Sequence, residues 1–372
     1  MKIGTVRDIK IKFHFSTLII VGLVGFSAVT FFLDLEPEAL LVEILLVGII
    51  NGVIILFSIL IHELAHSIVA QQYGLKVSEI ELYLFGGVSK IEEEPRTPKS
   101  EMIISIVGPL SSLILGAIFL TVMLFNLKIL PPWLFVTLFY SGISNIGLGI
   151  FNLIPAFPMD GGRVLRAYLW NRRNNLLSAT KTASKLGSII GYSMMALGFI
   201  QMLFGQFGGV WLILMGSFLN RAARKSYVQA KNEVTLSKIN VRDVAGWPEF
   251  AIPFDTLVND AIRNYFIVFT QTYFPVVRGN DIVGIVHLDD IKTVPIEQRS
   301  EFIIGNIMKI LSEFPFIYEE ETGKDAMRKF NQMDHRPHVA IVKDNEKQRI
   351  VGFLDESDIV NAMKLELYSH GS

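Results

Sequence analysis

The apolar residues of this chain are concentrated in six runs that are separated by polar connections. The runs cover residues 15–33, 41–70, 101–126, 132–154, 186–204 and 207–220. A helix needs about 20 apolar residues to cross the hydrocarbon core of a bilayer. The pattern therefore predicts a polytopic α-helical membrane protein with about six transmembrane helices. The last two runs are short and meet near Gly205, so they form either a tight helical hairpin or one interrupted helix.

Lysine and arginine residues of the membrane region lie almost entirely in every second connection. They precede the first run, lie between the second and third and between the fourth and fifth, and follow the sixth. Because positively charged connections stay on the cytoplasmic side, we expect both termini to be cytoplasmic and the protein to lie in the cell membrane. The basic N-terminus before Phe15 resembles a signal peptide, but no small-x-small cleavage pattern follows, so we interpret the first run as a retained span.

Residues 76–94, between the second and third runs, predict a short β-hairpin on the cytoplasmic side. Apolar residues alternate with polar ones in places, as at Val77, Ile80 and Leu82, and Gly86-Gly87 supplies the turn.

The composition changes after Lys231, where more than half of the charged residues of the chain lie in a pattern of short strands and helices. This tail repeats itself at an offset of about 65 residues, since Asp260-Ala261-Ile262-Arg263 returns as Asp325-Ala326-Met327-Arg328. An offset of that length predicts two tandem small α/β units. The predicted domains are a membrane domain, 1–225, and two soluble domains, 235–298 and 299–368.

Composition narrows the classes of function. The chain has 372 residues, of which 51% are hydrophobic and 19% charged, which is too apolar for a single soluble globule. Its formal net charge of −1 gives no reason to expect a nucleic-acid partner. Because the chain contains no cysteine, it forms no disulfides, and any zinc ion must be held by histidine, aspartate or glutamate.

The pentapeptide His62-Glu63-Leu64-Ala65-His66 follows an uncharged run, Ile44 to Ile61, in the second predicted span. In a helix, His62 and His66 lie on one face, one turn apart. Two imidazoles so placed can hold one zinc ion, and Glu63 between them can deprotonate a metal-bound water. His335 and His338 in the tail also have a spacing compatible with metal, but no nearby partner is evident, so a surface loop is favoured.

The fourth run ends in a second polar motif, Asn152 to Arg163. Pro155 and Pro158 break the helix there, and Gly161-Gly162 allows its backbone to approach a neighbour closely. Asp160 lies among apolar residues, where a carboxylate is unfavourable unless it is paired or bound to metal. Two histidines and one carboxylate leave a fourth tetrahedral position for water, as in catalytic zinc sites, and Asn152 can donate its amide to a developing oxyanion.

Together, the two motifs resemble those of the site-2 protease family of intramembrane zinc metalloproteases, and the resemblance covers about residues 1–225. It implies that His62, His66 and Asp160 bind one zinc ion per chain. It also implies that Glu63 activates water and that Asn152 supports the oxyanion. The expected substrates are membrane-anchored proteins in the lipid bilayer. Membrane-anchored regulators and leftover signal peptides both remain possible substrate classes.

The tail resembles paired cystathionine-β-synthase-type (CBS) domains, a frequent regulatory appendage in that family. Such domains often bind adenine nucleotides, with an aspartate on the ribose at the positions of Asp290 and Asp358. His287 and Asp355 replace the small hydroxyl residue that usually stands three positions earlier. A second interpretation is that the tail only forms a homodimer or docks a cytoplasmic partner.

Two other classes of function remain open. A transporter with regulatory CBS domains would share the spans and the tail, although the chain shows no inverted repeats or paired interrupted helices. A non-catalytic membrane scaffold would be expected to lack Glu63 or one of the metal ligands.

Overall fold

The computed structural model describes residues 2–83, 86–91, 94–125, 129–332, 339–347 and 349–369. The chain divides into two compact units, Met1–Gln229 and Ala230–Ser372. His335 and His338 lie outside the described residues, as do residues 84, 85, 92 and 93 of the predicted hairpin.

Seven helices dominate the described part of the first unit. They are α1 (Thr17–Leu35), α2 (Leu41–Gln72), α3 (Pro98–Phe125), α4 (Pro132–Asn152), α5 (Asp160–Arg173), α6 (Leu176–Leu203) and α7 (Gly208–Leu236). Five of them, α1 to α4 and α6, are long and apolar enough to cross a membrane. The prediction of a polytopic α-helical membrane protein is confirmed.

The sixth apolar run forms the first half of α7, which is a separate helix and not a continuation of α6. Gly205 adopts a positive φ of 75° in the turn between the two helices. The helices then run antiparallel, since Gly198 packs against Gly209 and Gly191 packs against Gly216. Helix α7 is not among the five long apolar helices, because its apolar part ends at Asn220, so the described residues contain five such helices and not the six that the sequence predicts. The hairpin alternative is therefore confirmed.

The first unit also contains a four-stranded sheet in the order β1 (Lys2–Val6), β2 (Ile9–Phe13), β3 (Val77–Tyr83) and β4 (Gly86–Ile91). The antiparallel pair of β3 and β4 confirms the predicted hairpin, but the predicted position of its turn is wrong: Gly86 and Gly87 lie in β4, where they pair with Tyr83 and Leu82. Strands β1 and β2 were not predicted: they form a second hairpin, and β2 pairs in parallel with β3.

This sheet packs on the helix that carries the pentapeptide. Ile9, Ile80 and Leu82 are fully buried in one cluster with Ile55 and Ile59 of α2. The hydroxyl of Thr17 donates to the carbonyl of Leu82 at 2.6 Å, which ties the start of α1 to β3. The sheet is therefore held close to the end of α2 where His62 and His66 lie.

The second unit contains two small sheets, and the first of them takes its last strand from the second sequence repeat. The strands are β5 (Ile252–Pro253), β6 (Tyr273–Arg278), β7 (Asp281–His287) and β8 (Lys309–Ile310) in the first sheet, and β9 (Phe316–Tyr318), β10 (Val339–Lys343) and β11 (Ile350–Asp355) in the second. In both, a short strand pairs in parallel with the first strand of an antiparallel hairpin. The prediction of two tandem α/β units is confirmed.

Short helices flank these sheets. They are α8 (Val241–Val244), α9 (Val258–Ala261), α10 (Ile267–Phe269), α11 (Leu288–Lys292), α12 (Gly323–Asn331) and α13 (Glu356–Ser369). A five-residue π-helical segment, Ile262–Phe266, joins α9 to α10. Helices α11 and α13 start directly after β7 and β11, so Asp290 and Asp358 occupy equivalent positions in the first turn of each helix.

Candidate metal centre

Helix α2 presents His62 and His66 on one buried face. Their exposed fractions are 5% and 7%, and their rings meet edge to face with centroids 4.8 Å apart. The two Nε2 atoms are 3.2 Å apart. The spacing of four residues therefore places one nitrogen of each ring at a common point, as helix geometry requires.

Helix α3 orients both imidazoles through their other nitrogens. Ser112 Oγ lies 3.0 Å from Nδ1 of His62, and the carbonyl oxygen of Ile104 lies 2.6 Å from Nδ1 of His66. A carbonyl oxygen can only accept a hydrogen bond, so Nδ1 of His66 carries a proton, which leaves Nε2 as the ring nitrogen that can bind a metal. Contacts of this kind fix the tautomer of metal-binding histidines in general.

Gly108 lies between these two contacts on the same face of α3. A Cβ atom at this position would overlap the imidazole of His66. Because only glycine lacks a Cβ atom, Gly108 lets α3 approach closely enough for the contacts of Ile104 and Ser112 to form.

Asp160 reaches the same point from the first turn of α5. Its Oδ2 lies 3.1 Å from Nε2 of His62 and 3.2 Å from Nε2 of His66. Gly161 and Gly162 permit this placement, because Cβ atoms there would overlap the backbone of residues 153–157. Within the described residues, His62, His66 and Asp160 form the one group of three side chains suited to hold a metal.

The three atoms fit a divalent cation. A tetrahedral zinc site with bonds of about 2.0–2.1 Å separates its ligand atoms by roughly 3.3 Å, close to the 3.1–3.2 Å found here. Burial alone would raise the pKa of Asp160, but the positive charge of the adjacent imidazoles of His66 and His62, when they are protonated, outweighs it and holds the pKa below its usual range. Metal binding releases protons from its ligands, so a divalent cation held by these three atoms would take the place of those protons.

Glu63 lies beside this cluster, partly buried, and faces the sheet. A Cβ atom at Gly87 in β4 would overlap the side chain of Glu63 and would also lie 2.9 Å from a methyl group of Leu82. The hairpin of β3 and β4 therefore passes directly over the carboxylate that the sequence identifies as a base.

Asn152 ends α4, and its amide nitrogen donates to the carbonyl of Leu148 in the same helix at 3.0 Å. The hydrogen bond that the structure records for this amide thus runs along α4 and not to the cluster of His62, His66 and Asp160. Asn145 similarly donates to the carbonyl of Ser141 in the same helix.

Asp290 and Asp358 each accept a hydrogen bond from a backbone N–H three residues earlier. The donors are His287, at 2.9 Å, and Asp355, at 3.0 Å. Asp290 additionally lies 3.5 Å from the ammonium of Lys309. Both aspartates therefore have a structural role as helix caps.

Of this pair, Asp358 borders a cavity of about 340 Å³ in the second unit. The lining is polar and includes Asp355, Gln271, Tyr273 and the indole of Trp247. Burial raises the pKa of Asp358, and burial with the carboxylates of Asp358 and Asp355 raises that of Tyr273, so its hydroxyl stays protonated.

The groups of α3 that orient the two histidines could not be predicted from the sequence. Ser112 and Gly108 belong to a stretch of small residues in the third run, which indicates close helix packing but does not indicate a partner. The carbonyl of Ile104 leaves no signal in the sequence, since every residue has one.

Two protein families match the chain. The profile of Peptidase family M50 matches residues 51–131 and 131–198, and that of the CBS domain matches residues 241–297 and 304–365. The chain is 29% identical over 360 residues to Rip3 of Mycobacterium tuberculosis, covering 96% of this chain and 91% of that protein.

A second relative is the zinc metalloprotease MJ0392 of Methanocaldococcus jannaschii, 30% identical over 316 residues, with 84% of each chain covered. Among solved structures, the site-2 protease from Methanocaldococcus jannaschii is similar with a TM-score of 0.43 and 30% identity, covering 61% of this chain and 94% of that chain.

Proposed function

Since this chain belongs to peptidase family M50, the site-2 protease family of zinc metalloproteases, we propose that it hydrolyses peptide bonds within or beside the membrane-spanning segments of other proteins. One observation carries the proposal. Nε2 of His62, Nε2 of His66 and Oδ2 of Asp160 converge within 3.2 Å of one another, and the two histidines belong to a helix that is apolar enough to span a membrane.

These three atoms would hold the zinc ion. When bound, zinc supplies a Lewis acid that lowers the pKa of water from about 16 to about 7. Glu63, one residue from His62, takes the proton of the attacking water and returns it to the leaving amine. Asn152 donates to the developing oxyanion with the N–H of its amide that does not bond the carbonyl of Leu148.

Substrate capture uses the sheet. A transmembrane helix hides its scissile carbonyls in its own hydrogen bonds, so the substrate must unwind to an extended segment before hydrolysis. Strand β4 is an edge of the four-stranded sheet, and its Gly87 packs on Glu63. We propose that the unwound segment adds to β4 as a further strand, which brings its backbone to the base.

The site faces the cytoplasm in this proposal, and both termini are cytoplasmic. The distribution of lysine and arginine supports this orientation. Two structural features agree with it: α7 runs back along α6, and the N-terminal strand β2 shares a sheet with β3, which follows α2. The proposed domains are 1–225, 235–298 and 299–368.

The tail would regulate access to the site by sensing an adenine nucleotide or nucleoside in the cavity beside Asp358. Trp247 can stack on a base, and Asp358 can accept from a ribose hydroxyl. No lysine or arginine belongs to the described lining, so phosphate groups would meet Asp355 and Asp358 without a counter-charge. We expect adenosine to raise the melting temperature of the full-length protein more than ATP. If neither does so, dimerisation or docking of a partner becomes the favoured role.

Replacing Glu63 with glutamine tests the function. We expect zinc to stay bound and cleavage to fall by about 10²–10⁴-fold, the usual contribution of a general base. The measurement compares membrane-peptide fragments from cells that produce the wild type or the variant, together with zinc analysis of each purified protein. Glu43→Gln is the matched control, since Glu43 caps the far end of the same helix. Fragment sets that are identical in wild type and Glu63→Gln would contradict the proposal.

A further inference from the structure

A buried ion pair joins α3 to α5 near the metal centre. Glu101 of α3 is 1% exposed and Arg166 of α5 is 4% exposed. Nε and Nη2 of Arg166 each lie 2.5 Å from Oε1 of Glu101. The guanidinium also lies over the ring of Phe157, 5.3 Å from its centroid.

Stability alone does not explain this pair. Taking two charges out of water is so unfavourable that replacing a buried ion pair by apolar side chains of similar size is often neutral or stabilising. A pair of this kind is therefore better explained by the geometry that it imposes. An arginine suits that role, because its planar fork fixes direction as well as distance.

The two helices that the pair joins carry the two halves of the metal centre. Glu101 lies one turn of α3 before Ile104, whose carbonyl oxygen accepts the hydrogen bond from Nδ1 of His66. Arg166 lies six residues after Asp160 on α5, which is about 9 Å along the helix. Phe157, under the guanidinium, stands three residues before Asp160. Arg166 therefore connects the chain before Asp160, at Phe157, with the helix after it.

We propose that Glu101 and Arg166 are positioning residues that set the distance between Asp160 and the two histidines, so that the metal site is already formed before zinc binds. This inference rests on the assignment of His62, His66 and Asp160 as zinc ligands. Arg166 fixes the start of α5 against α3, and α3 in turn fixes both imidazoles. Neither residue contacts the metal or the substrate in this role.

The double variant Glu101→Met/Arg166→Met separates positioning from stability. It removes both charges together, so the fold should persist. We expect zinc affinity to fall by about 10–100-fold, as for other groups that orient metal ligands. Competition with a chelator measures the affinity on the purified full-length protein. The visible spectrum of the Co²⁺-substituted protein should change as well, since it reports ligand geometry and not stability.

Two further variants keep the result interpretable. Arg172→Met changes an exposed arginine of the same helix that lies over Tyr168, and it should leave zinc affinity and the Co²⁺ spectrum unchanged. His66→Ala should abolish stoichiometric zinc. If His66→Ala still binds stoichiometric zinc, the assignment of His66 as a ligand is wrong. The positioning role, which depends on that assignment, is then rejected without any result from the double variant.

Wild-type zinc affinity and an unchanged Co²⁺ spectrum in the folded double variant would overturn the proposal. Should that variant not fold, Arg166→Lys takes its place, because lysine keeps the charge but lacks the planar fork that fixes direction. Reduced zinc affinity in Arg166→Lys then supports the positioning role, and wild-type affinity overturns it.

Discussion

Asp160, Asp290 and Asp358 each stand in the first turn of a helix, yet their carboxylates face different partners. Asp160 opens α5 and points to His62 and His66, which lie more than 90 residues earlier in the chain. Asp290 and Asp358 lie in α11 and α13 and accept from backbone N–H groups only three residues away. The first turn of a helix favours a carboxylate in all three cases, because unpaired N–H groups lie there.

The difference between them lies in how the carboxylate is satisfied. Asp290 and Asp358 accept local hydrogen bonds from backbone N–H groups, and Asp290 has Lys309 nearby as well. Oδ2 of Asp160 instead lies beside Nε2 of two imidazoles, each of which can bind a metal when that nitrogen is not protonated. A carboxylate that meets two imidazole nitrogens at one point is typical of a metal site, whereas one that meets backbone N–H groups is typical of a helix cap.

The same substitution at these aspartates tests the comparison, and the largest effect should occur at Asp160. We expect Asp160→Asn to weaken zinc binding by more than about 100-fold, since loss of a group that merely orients a ligand already costs 10–100-fold. Cleavage should be lost with the metal. Chelator competition and metal analysis of the purified protein measure the effect. Zinc binding as tight as in the wild type would show that Asp160 is not a ligand.

An intermediate effect is expected at Ser112, which contacts His62 without touching the metal site directly. Ser112→Ala removes the hydrogen-bond partner of Nδ1 at 3.0 Å and should lower zinc affinity about 10–100-fold. Ser111→Ala is the matched control, because within the described part of the chain the hydroxyl of Ser111 donates to the carbonyl of Gly108 in its own helix. Equal zinc affinities in the two variants would contradict the role of Ser112 in orienting His62.

The smallest effect is expected from Asp290→Asn. The loss of a capping carboxylate should lower the free energy of unfolding by about 0.3–1.5 kcal/mol and leave zinc affinity unchanged. Asp358→Asn should have a similar effect on stability, but it should also weaken adenosine binding in the neighbouring cavity. Thermal unfolding of the full-length variants with and without adenosine measures both effects. An equal shift in melting temperature with adenosine in the two variants would contradict the proposal that Asp358, and not Asp290, binds adenosine.

Much of the architecture could be predicted from the chain alone. Apolar runs longer than a bilayer is thick leave few alternatives to spanning helices, because backbone groups must be satisfied internally in lipid. The spacing of His62 and His66 similarly determines that both side chains share a face once the helix is given. The repeat in the tail predicts two like units before any contact is known, since similar sequences favour similar folds.

Strands β1 and β2 escaped prediction although Ile9 and Ile11 alternate with Lys10 and Lys12. Five-residue strands become stable only through pairing, and the partner of β2 is β3, more than 60 residues away. Membrane orientation is an equally valid explanation of Lys10 and Lys12, because basic residues also mark the cytoplasmic side of a span.

The arrangement around the metal centre depended on the tertiary structure. Asp160 could be predicted from the sequence as a third ligand. The distances that separate its carboxylate from His62 and His66, however, arise from packing between α2, α3 and α5. The carbonyl of Ile104, the closeness of Gly87 to Glu63 and the pair of Glu101 with Arg166 leave no local pattern. Periodicity records which face of an element is apolar, whereas the identity of the neighbour across that face is decided only when distant segments pack.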